Sequence, residues 1–228
     1  MTGPGRAAHL KTMIIAIDGT LASGKGTLAR RVAAIYGLAH LDTGRLYRAT
    51  GVAALRTGAD FEDAQALAQI ASRLDLSSFD DLALRSAEAG QAASKVAAVP
   101  EVRAALLQFQ RDFACRPGGA VLDGRDIGTV ICPEADVKLW IDASVEERAR
   151  RRHAELLVRG ETLSFDEMVG EVRIRDSRDA GRQDAPMVQA ADAHLIDTTE
   201  LSIDAAVERA CEIINQTVPQ MISAASRK

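Results

Sequence analysis

The sequence predicts an α/β protein built on a parallel sheet, and three observations support this fold class. First, short apolar runs alternate along the chain with longer segments whose apolar residues repeat at helical spacing. Second, the apolar runs are nearly continuous and rich in Ile, Val and Leu, as in strands that are buried on both faces. Third, no internal repeat or low-complexity tract interrupts the 228 residues. Strands that alternate with helices form a parallel sheet with helices on both faces.

Five runs have the length and composition of buried strands. They are Met13–Asp18, Ala39–Asp42, Ala120–Asp123, Asp136–Asp142 and Ala193–Asp197. Between them, Gly37 and Gly58 mark helix ends, and Pro100 marks a first turn. Capping boxes of the form Ser-x-x-Glu begin two further helices at Ser144 and Ser164. The residues expected to face the core are Leu28, Val32 and Ile35 in the first helix, Val102, Leu106, Phe109 and Phe113 after Pro100, and Ile203, Val207, Ala210 and Ile214 in the last.

The composition predicts a globular cytoplasmic protein without a nucleic-acid or membrane partner. Hydrophobic residues make up 47% of the chain, and the formal net charge is −4. Nucleic-acid polymers and anionic membranes favour basic surfaces, and no stretch has the apolar length of a signal peptide or a membrane span. The cysteines Cys115, Cys132 and Cys211 lack motif spacing, so each is expected to be a small buried hydrophobe. Residues 1–12 are expected to form a flexible tail. The sequence shows no exposed apolar stripe that would indicate an oligomer interface, so we expect a monomer.

A glycine-rich loop, "IAIDGTLASGKGT" (residues 15–27), stands between the first predicted strand and a helix. Glycines at 19, 24 and 26 let backbone amides approach a polyphosphate, and the helix points its positive end at the anion. Lys25 is expected to reach the terminal phosphates, and Thr27 to orient a metal ion or a phosphate oxygen. The alternative is a glycine-rich turn with an incidental lysine. The predicted ATP-binding residues are Gly19, Thr20, Leu21, Ala22, Ser23, Gly24, Lys25, Gly26 and Thr27.

The order of motifs after this loop identifies a family. "GKGT", in place of "GKS" or "GKT", resembles the loop of nucleoside monophosphate kinases. It is followed by "LDTGRLYR" (41–48), "AASKVAAVPEVR" (92–103), "DGRDIGTV" (123–130) and "RIRDSRDAGR" (173–182). Together these segments resemble bacterial cytidylate kinases from Met13 to about Ile214. The resemblance implies phosphoryl transfer from ATP to CMP or dCMP with Mg²⁺, in pyrimidine nucleotide metabolism.

The resemblance also implies an architecture. Members of the family have a three-layer P-loop kinase fold: a five-stranded parallel sheet, an acceptor-binding insertion and a lid that carries arginines. We therefore expect one kinase domain over residues 13–217, with the insertion at about 58–100 and the lid at about 145–185. Both stretches fit a regular β/α rhythm poorly. Residues 218–228 would form a C-terminal tail.

Site residues are carried over only where the motifs match. The resemblance implies that Thr43, Arg48 and Arg125 lie near the acceptor phosphate, and that Arg175 and Arg182 clamp phosphates. It also implies that Asp179 contacts the acceptor ribose. The cytosine would be read by Ser94, Arg103 and Asp126. Lys25, Arg125, Arg175 and Arg182 are the expected catalytic cations, because phosphoryl transfer depends on positioning and electrostatic stabilisation. Asp123 is the expected metal residue, acting through water, and Thr27 is a second candidate.

Elementary hydrogen bonding supports the choice of base. Cytosine presents an N4 amino donor that the carboxylate of Asp126 can accept, and its O2 and N3 acceptors suit the guanidinium of Arg103. Uracil reverses the pattern at positions 3 and 4. A buried mismatch of this kind leaves polar groups unpaired and discriminates strongly. Nothing in the sequence separates CMP from dCMP.

Ordinary structural explanations remain for single residues. Arg48 could be a surface arginine, Asp179 and Arg182 a solvated pair at spacing i, i+3, and Asp123 a cap of the next turn. The four histidines have no partner spacing and receive no role. Two rival functions stay open: a kinase for UMP, AMP or another small molecule on the same fold, and a non-catalytic ATP-binding module.

Two departures from the family pattern bear on geometry. Thr20 and Leu21 follow Gly19 where the family has Gly-Pro and small residues, so a bulky side chain stands at the loop tip. The stretch from 75 to 89 is shorter than in better-known members and is expected to lack a small β segment.

Overall fold

The computed structural model describes residues 12–219 and contains one five-stranded sheet. The strands are β1 (Ile14–Gly19), β2 (Ala39–Asp42), β3 (Ala120–Gly124), β4 (Val137–Asp142) and β5 (His194–Asp197), in the order β2-β3-β1-β4-β5. Every neighbouring pair is parallel, which confirms the predicted fold class. The tails predicted at residues 1–12 and 218–228 lie almost entirely outside the described residues.

Eight α-helices connect and flank the described strands. They are α1 (Lys25–Tyr36), α2 (Thr43–Thr57), α3 (Ala64–Ser72), α4 (Ala87–Val96), α5 (Pro100–Ala114), α6 (Val145–Leu157), α7 (Phe165–Ala180) and α8 (Ile203–Thr217). The sequence did not predict α4, because its buried face consists of Ala, Gly and Ser rather than of large apolar residues. Residues 75–86 form two one-turn 3₁₀ helices and no strand, and residues 127–131 form a wide π turn.

The sheet separates two apolar layers. Because successive strand residues point to opposite faces, Ile15 and Ile17 pack with α1 and α8, whereas Ala16 and Leu122 pack on the side of α5 and the π turn. Helices α2 to α5 enclose a separate cluster around Leu46 and its neighbours. Helices α6 and α7 enclose a further one, which we call the lid cluster: Ala149, Leu156, Met168 and Val172.

Several predicted core positions are exposed. Ile35, Phe109 and Ile203 are 57%, 49% and 38% exposed. In α5 the buried stripe follows an i, i+4 row, Val102, Leu106, Gln110 and Ala114, which leaves Phe109 on its flank. In α1 the stripe likewise runs through residues 28–29 and 32–33, so Ile35 lies beyond its edge. Isolated exposed hydrophobic residues of this kind are common on protein surfaces.

Two smaller expectations were also wrong. Only Cys132 is buried, whereas Cys211 is partly buried and Cys115 is exposed. The capping box is complete at Ser164 but not at Ser144, because the Glu147 carboxylate turns to arginines in its own helix and only the Ser144 hydroxyl caps.

The strand order brings functional segments together. The central β1 lies between β3 and β4, and the loops after β1, β2 and β3 leave the same edge of the sheet. In open α/β sheets this carboxyl-end edge is where ligands bind. No helix in the described part of the chain is long and apolar enough to cross a membrane.

Candidate active site

The loop between β1 and α1 holds its carbonyl groups away from the cleft. Lys25 Nζ and Ser23 Oγ both donate to the Thr20 carbonyl, at 2.9 and 3.0 Å, and Thr198 Oγ1 donates to the Ser23 carbonyl at 2.9 Å. Ala22 adopts φ +58° and Gly24 φ +89°, so the chain turns through left-handed conformations. The first amides of α1 have no partner within the helix and form an anion-binding end.

Lys25 is a buried cation directly beneath this loop. Burial, together with the neighbouring Arg125, lowers the pKa of Lys25 to about 7. Among residues 12–219 its ammonium forms no ion pair, although Asp42 and Asp123 lie close enough to oppose the shift. A buried cation without a counter-ion is a strong binding group for a phosphate.

Gly19 serves the sheet rather than the phosphate. A Cβ at this position would lie 1.9 Å from the Ile141 carbonyl oxygen of β4, and Gly19 has φ +150°. Gly19 does not line the cleft. Packing against β4 therefore accounts for Gly19, whereas the close approach of phosphate stays a prediction for Gly24 and Gly26, which line the cleft.

The bulky Leu21 has a structural explanation. Its side chain packs against the lid cluster of α6 and α7. Its carbonyl oxygen lies 3.4 Å from Arg148 Nη1, so a second contact joins the loop tip to α6. The side chain at the loop tip is thus accommodated by packing against α6 and α7.

A cleft of about 450 Å³ opens beside the loop. Loop residues, α2, α4, the segment after β3, α6 and α7 contribute to its wall. The predicted site residues that line it are Leu21, Ala22, Gly24, Lys25, Gly26, Thr27, Thr43, Arg48, Ser94, Asp123, Arg125, Asp126, Arg175, Asp179 and Arg182. Those that do not are Gly19, Thr20, Ser23 and Arg103. Ser23 lines a neighbouring cavity, and Arg103 lies behind Asp126.

Three arginines converge on this cleft, one from the loop after β3, one from α7 and one from the segment just after α7. Arg125 Nε donates to Asp179 Oδ2 at 3.0 Å, and Arg182 Nε donates to the Asp179 carbonyl at 3.1 Å. Burial and Arg125 lower the pKa of Arg175 to about 10. Arg175 and Arg182 form no ion pair within residues 12–219, and Arg175 Nε and Arg182 Nη2 are buried without a hydrogen-bond partner. Such donors fit an anion that enters the cleft.

Asp179 and Arg182 are not a solvated pair. Both are buried, with 4% and 9% exposure. Burial favours the neutral acid, but Arg125, Arg175 and Arg182 outweigh it and hold the pKa of Asp179 below its ordinary value. Asp179 is therefore an ionised acceptor within a group of cations.

Asp42 organises the acceptor end of α2. Its carboxylate accepts from the Arg45 amide at 3.1 Å, as the N-cap of α2, and from Arg48 Nη2 at 2.7 Å. Burial opposes ionisation, yet Arg48 keeps the pKa of Asp42 below its ordinary value. Thr43 Oγ1 donates to the Asp123 carbonyl at 2.8 Å, which ties α2 to the end of β3. The ion pair with Asp42 thus fixes the Arg48 guanidinium, so Arg48 is not a free surface arginine.

The residues expected to read cytosine form two buried contacts. Arg103 Nη2 pairs with Asp126 Oδ2, and Asp184 lies 3.3 Å from Arg103 Nε on the outer side. Arg103 Nη1 has no hydrogen-bond partner. Ser94 Oγ accepts from Arg178 Nη1 at 3.0 Å, a contact between α4 and α7. The pair places the guanidinium of Arg103, a hydrogen-bond donor, next to the carboxylate of Asp126, a hydrogen-bond acceptor.

Asp123 is held by a histidine that received no role from the sequence. His40 Nε2 lies 2.7 Å from Asp123 Oδ1, across β2 and β3. The other oxygen, Oδ2, faces the loop, since a Cβ on Gly26 would lie 3.5 Å from it. This contact orients Asp123, so capping the next turn does not explain the side chain.

The donor set fits a Mg²⁺ ion that is bound mainly through phosphate and water. No cluster of three or more His, Cys, Asp or Glu side chains suited to a metal occurs among residues 12–219. Asp123 offers one carboxylate oxygen beside the loop, and Thr27 Oγ1 lines the same cleft, where it accepts from Arg30 at 3.2 Å. Mg²⁺ commonly keeps several waters and binds one or two carboxylates plus substrate phosphates.

A second cavity of about 210 Å³ adjoins the outer side of the loop. Leu201, Ile203 and Ala206 give it an apolar wall, and Arg151 lies at its edge. Arg151 donates to the Thr198 carbonyl at 2.6 Å, which fixes the guanidinium beside Ser23 and Gly24.

Four further residues escaped the sequence analysis. Asp18 accepts hydrogen bonds from the Ile127 and Gly128 amides, Asp42 holds Arg48, His40 holds Asp123, and Arg178 contacts Ser94. Asp18 and Asp42 stand at carboxyl ends of predicted strands, which was a usable signal. For His40 and Arg178 the partner is distant in the chain, and no local pattern indicates it.

Comparison with known proteins agrees with this geometry. The family model described as cytidylate kinase matches residues 15–216. A Cereibacter sphaeroides protein named cytidylate kinase is 60% identical over 200 residues, which cover 88% of this chain and 94% of that protein. A Xanthobacter autotrophicus protein of the same name is 56% identical over 202 residues, 89% of this chain and 97% of that protein.

Among solved structures, an uncharacterized protein from Eubacterium ventriosum superposes with a TM-score of 0.53 at 14% identity, covering 90% of this chain and 99% of that chain. That likeness concerns the fold alone. The sequence relatives and the family model extend over nearly all of the described residues, from β1 to α8. The chain belongs to the cytidylate kinase family.

Proposed function

We propose that the protein transfers the γ-phosphoryl group of ATP to CMP or dCMP, giving CDP or dCDP. The observation that carries this proposal is the meeting, in one cleft, of a cytosine-matched pair with cations that form no ion pair among residues 12–219. Lys25, Arg175 and Arg182 line this cleft together with Asp126, which Arg103 backs. Lys25 lies in the phosphate-binding loop, and Arg182 lies near Asp126. Family membership supports the same reaction class.

The transfer itself requires two polyanions to be held in line. The loop amides and Lys25 bind the donor phosphates, while Arg125, Arg175 and Arg182 neutralise charge on the transferred group and the acceptor phosphate. In phosphoryl transfer this positioning and electrostatic stabilisation supplies most of the catalysis. No general base is needed in this account. Mg²⁺, when bound with ATP, supplies further charge neutralisation, and Asp123 and Thr27 would hold it.

The acceptor would be read by side chains of three segments. Asp126 accepts from the cytosine N4 amino group, and Ser94, which lines the cleft, faces the ring acceptors. Arg103 lies behind Asp126 and would approach those acceptors with its unpartnered Nη1. Asp179, ionised and fixed by Arg125, accepts from the ribose, and Arg48 and Thr43 lie towards the acceptor phosphate. Against uracil the Asp126 carboxylate would meet a carbonyl oxygen and remain unsatisfied.

The second cavity suits the base of the donor nucleotide. Its apolar wall of Leu201, Ile203 and Ala206 can cover an aromatic ring, and the Arg151 guanidinium can stack on its face. The cavity shares Gly24 and Thr27 with the phosphate cleft, so one nucleotide can occupy both.

We further infer that residues 13–217 act as a single kinase domain, with about 58–100 as the acceptor-binding insertion and about 145–185 as the lid. Contacts of Arg152, Arg159 and Arg182 support this division, because these arginines of the expected lid reach the carbonyls of Arg85 and Ala97 in the expected insertion. A monomeric state and a cytoplasmic location stay predictions.

The test is ADP release with ATP and Mg²⁺ across CMP, dCMP, UMP, AMP and no acceptor. We expect kcat/KM for CMP and dCMP far above that for the other nucleotides. Turnover with UMP or AMP instead would support the assignment as a kinase but contradict the assignment of cytosine as the acceptor base. ATP binding without turnover on any acceptor would favour the binding-module alternative.

A further inference from the structure

Asp18 makes a buried contact that the proposed reaction does not use. It is the fifth residue of β1, and its side chain is 5% exposed. Its two carboxylate oxygens accept from the backbone amides of Ile127 and Gly128, at 2.8 and 2.7 Å. The contact spans 109 and 110 residues, so it joins the strand before the phosphate-binding loop to the segment after β3.

The two amides are the first of the π turn that follows Asp126. The first amides of a helical turn have no partner inside it, and the residue before the turn usually caps them with its side chain. Here that residue is Asp126, whose side chain makes no capping bond. It pairs with Arg103 instead. The carboxylate that satisfies the turn comes from Asp18.

We propose that Asp18 is a positioning residue for acceptor recognition: by capping the turn at 127–131 from β1, it leaves the Asp126 carboxylate free to pair with Arg103 and face the acceptor base. This inference rests on the proposed role of Asp126 in reading cytosine. A wide π turn at such a point is itself a feature found frequently at functional sites.

Loss of the Asp18 carboxylate leaves buried amides unsatisfied, which is costly. Asp126 stands immediately before them and carries the nearest capping group in the chain. Rotation of its carboxylate to these amides would restore the cap but break the Arg103–Asp126 pair. The base-reading wall would then lose its acceptor while the phosphate-binding loop kept its own contacts.

The experiment compares Asp18→Asn with the wild-type enzyme on CMP and UMP. Asparagine keeps the shape of the aspartate side chain, but its NH₂ group would face one of the two backbone amides, which needs a hydrogen-bond acceptor. We expect the ratio of kcat/KM for CMP over UMP to fall about tenfold, the scale of one good base contact, with KM for CMP raised and KM for ATP unchanged. An equal loss on both acceptors would mean a merely structural role and overturn the proposal.

Asp136→Asn is the matched control. Asp136 also binds a backbone amide through its carboxylate, that of Ile14 at 3.0 Å, but at the amino end of β1, away from the cleft. We expect its CMP-to-UMP ratio to equal that of the wild type. Thermal unfolding of both variants separates a loss of stability from a loss of discrimination.

A second measurement does not require Asp18→Asn to fold. Amide hydrogen exchange of Ile127 and Gly128 is followed in the wild type and in Asp126→Ala, because alanine has no side chain that can cap the turn. If Asp18 is the cap, both amides stay protected in the variant; loss of their protection would assign the cap to Asp126 and overturn the inference. A wild-type enzyme without preference for CMP would instead refute the proposed function, whatever the exchange result.

Discussion

The two halves of the cleft are built in different ways. The phosphate-binding loop is one contiguous segment, residues 19–27, whose expected binding groups are backbone amides and a single lysine. The expected acceptor side gathers side chains from α2, α4, α5, the β3 loop and α7. It fixes them through one ion pair at the start of α2 and two ion pairs between distant segments. A local segment is specified by its own residues, whereas the assembled wall depends on every contact that brings its members together.

This difference extends to the charges. On the acceptor side each recognition carboxylate has a cationic partner: Asp42 with Arg48, Asp126 with Arg103, Asp179 with Arg125. Lys25, Arg175 and Arg182 have no such partner in the described chain. Paired groups set geometry, and unpaired buried cations supply the attraction for phosphate. Substitutions should therefore affect specificity at the first set and turnover at the second.

The largest effect is expected for Arg182→Ala, which removes an unpaired cation. Its buried Nη2 has no protein partner and Arg182 lines the cleft, so we expect this group to bind the transferred or acceptor phosphate. Turnover in steady-state kinetics should fall about 10²–10³-fold, as when one transition-state donor is removed.

Arg173→Ala, on α7 just before Arg182 in the chain, is the control. Arg173 is exposed and contacts only the exposed Glu146, at 3.4 Å, so kcat should stay at the wild-type value. Equal turnover of wild type and Arg182→Ala would remove Arg182 from the reaction and weaken the division between paired and unpaired groups.

A smaller effect, on specificity, is expected for Asp126→Asn. The amide can present a donor to a uracil carbonyl, so the kcat/KM ratio of CMP over UMP should fall about tenfold or more, since one base contact is worth about 1–3 kcal/mol of discrimination. Acceptor competition assays measure it. Asp112→Asn, an exposed carboxylate on α5, should leave the ratio unchanged. An unaltered ratio in Asp126→Asn would contradict its assignment to N4.

The same contrast explains what the sequence could predict. All five strands, the phosphate-binding loop and most helices follow from patterns over four to about fifteen neighbouring residues. Helix α4 was missed because Ala and Gly pack closely against α2 without a large apolar repeat: a Cβ on Gly51 would lie 2.8 Å from Ala92. The family motifs indicated Asp123 and Ser94, but their partners His40 and Arg178 lie 83 and 84 residues away. Such pairs exist only in the tertiary structure.

The smallest predicted effect concerns protonation on the donor side. Burial, with Arg125 and Arg175, lowers the pKa of Lys25 to about 7, against the opposing effect of Asp123 and Asp42. Bound triphosphate favours the ammonium and raises this pKa. Above pH 7 the free enzyme therefore holds fewer protons than the complex with ATP, so ATP binding takes up a proton. As a consequence, ATP affinity falls as pH rises, by up to about tenfold per pH unit.

Calorimetry of ATP binding at pH 8, in two buffers of different ionisation enthalpy, measures that uptake. We expect nearly one proton per site in the wild type and less than half of that at pH 6, where Lys25 is already charged. Lys25→Arg is the control, because a guanidinium does not deprotonate and its uptake should vanish at both pH values. Equal uptake by the two proteins would mean that Lys25 is charged before ATP arrives. In that case the acidic neighbours Asp42, at the end of β2, and Asp123, in β3, would keep Lys25 protonated.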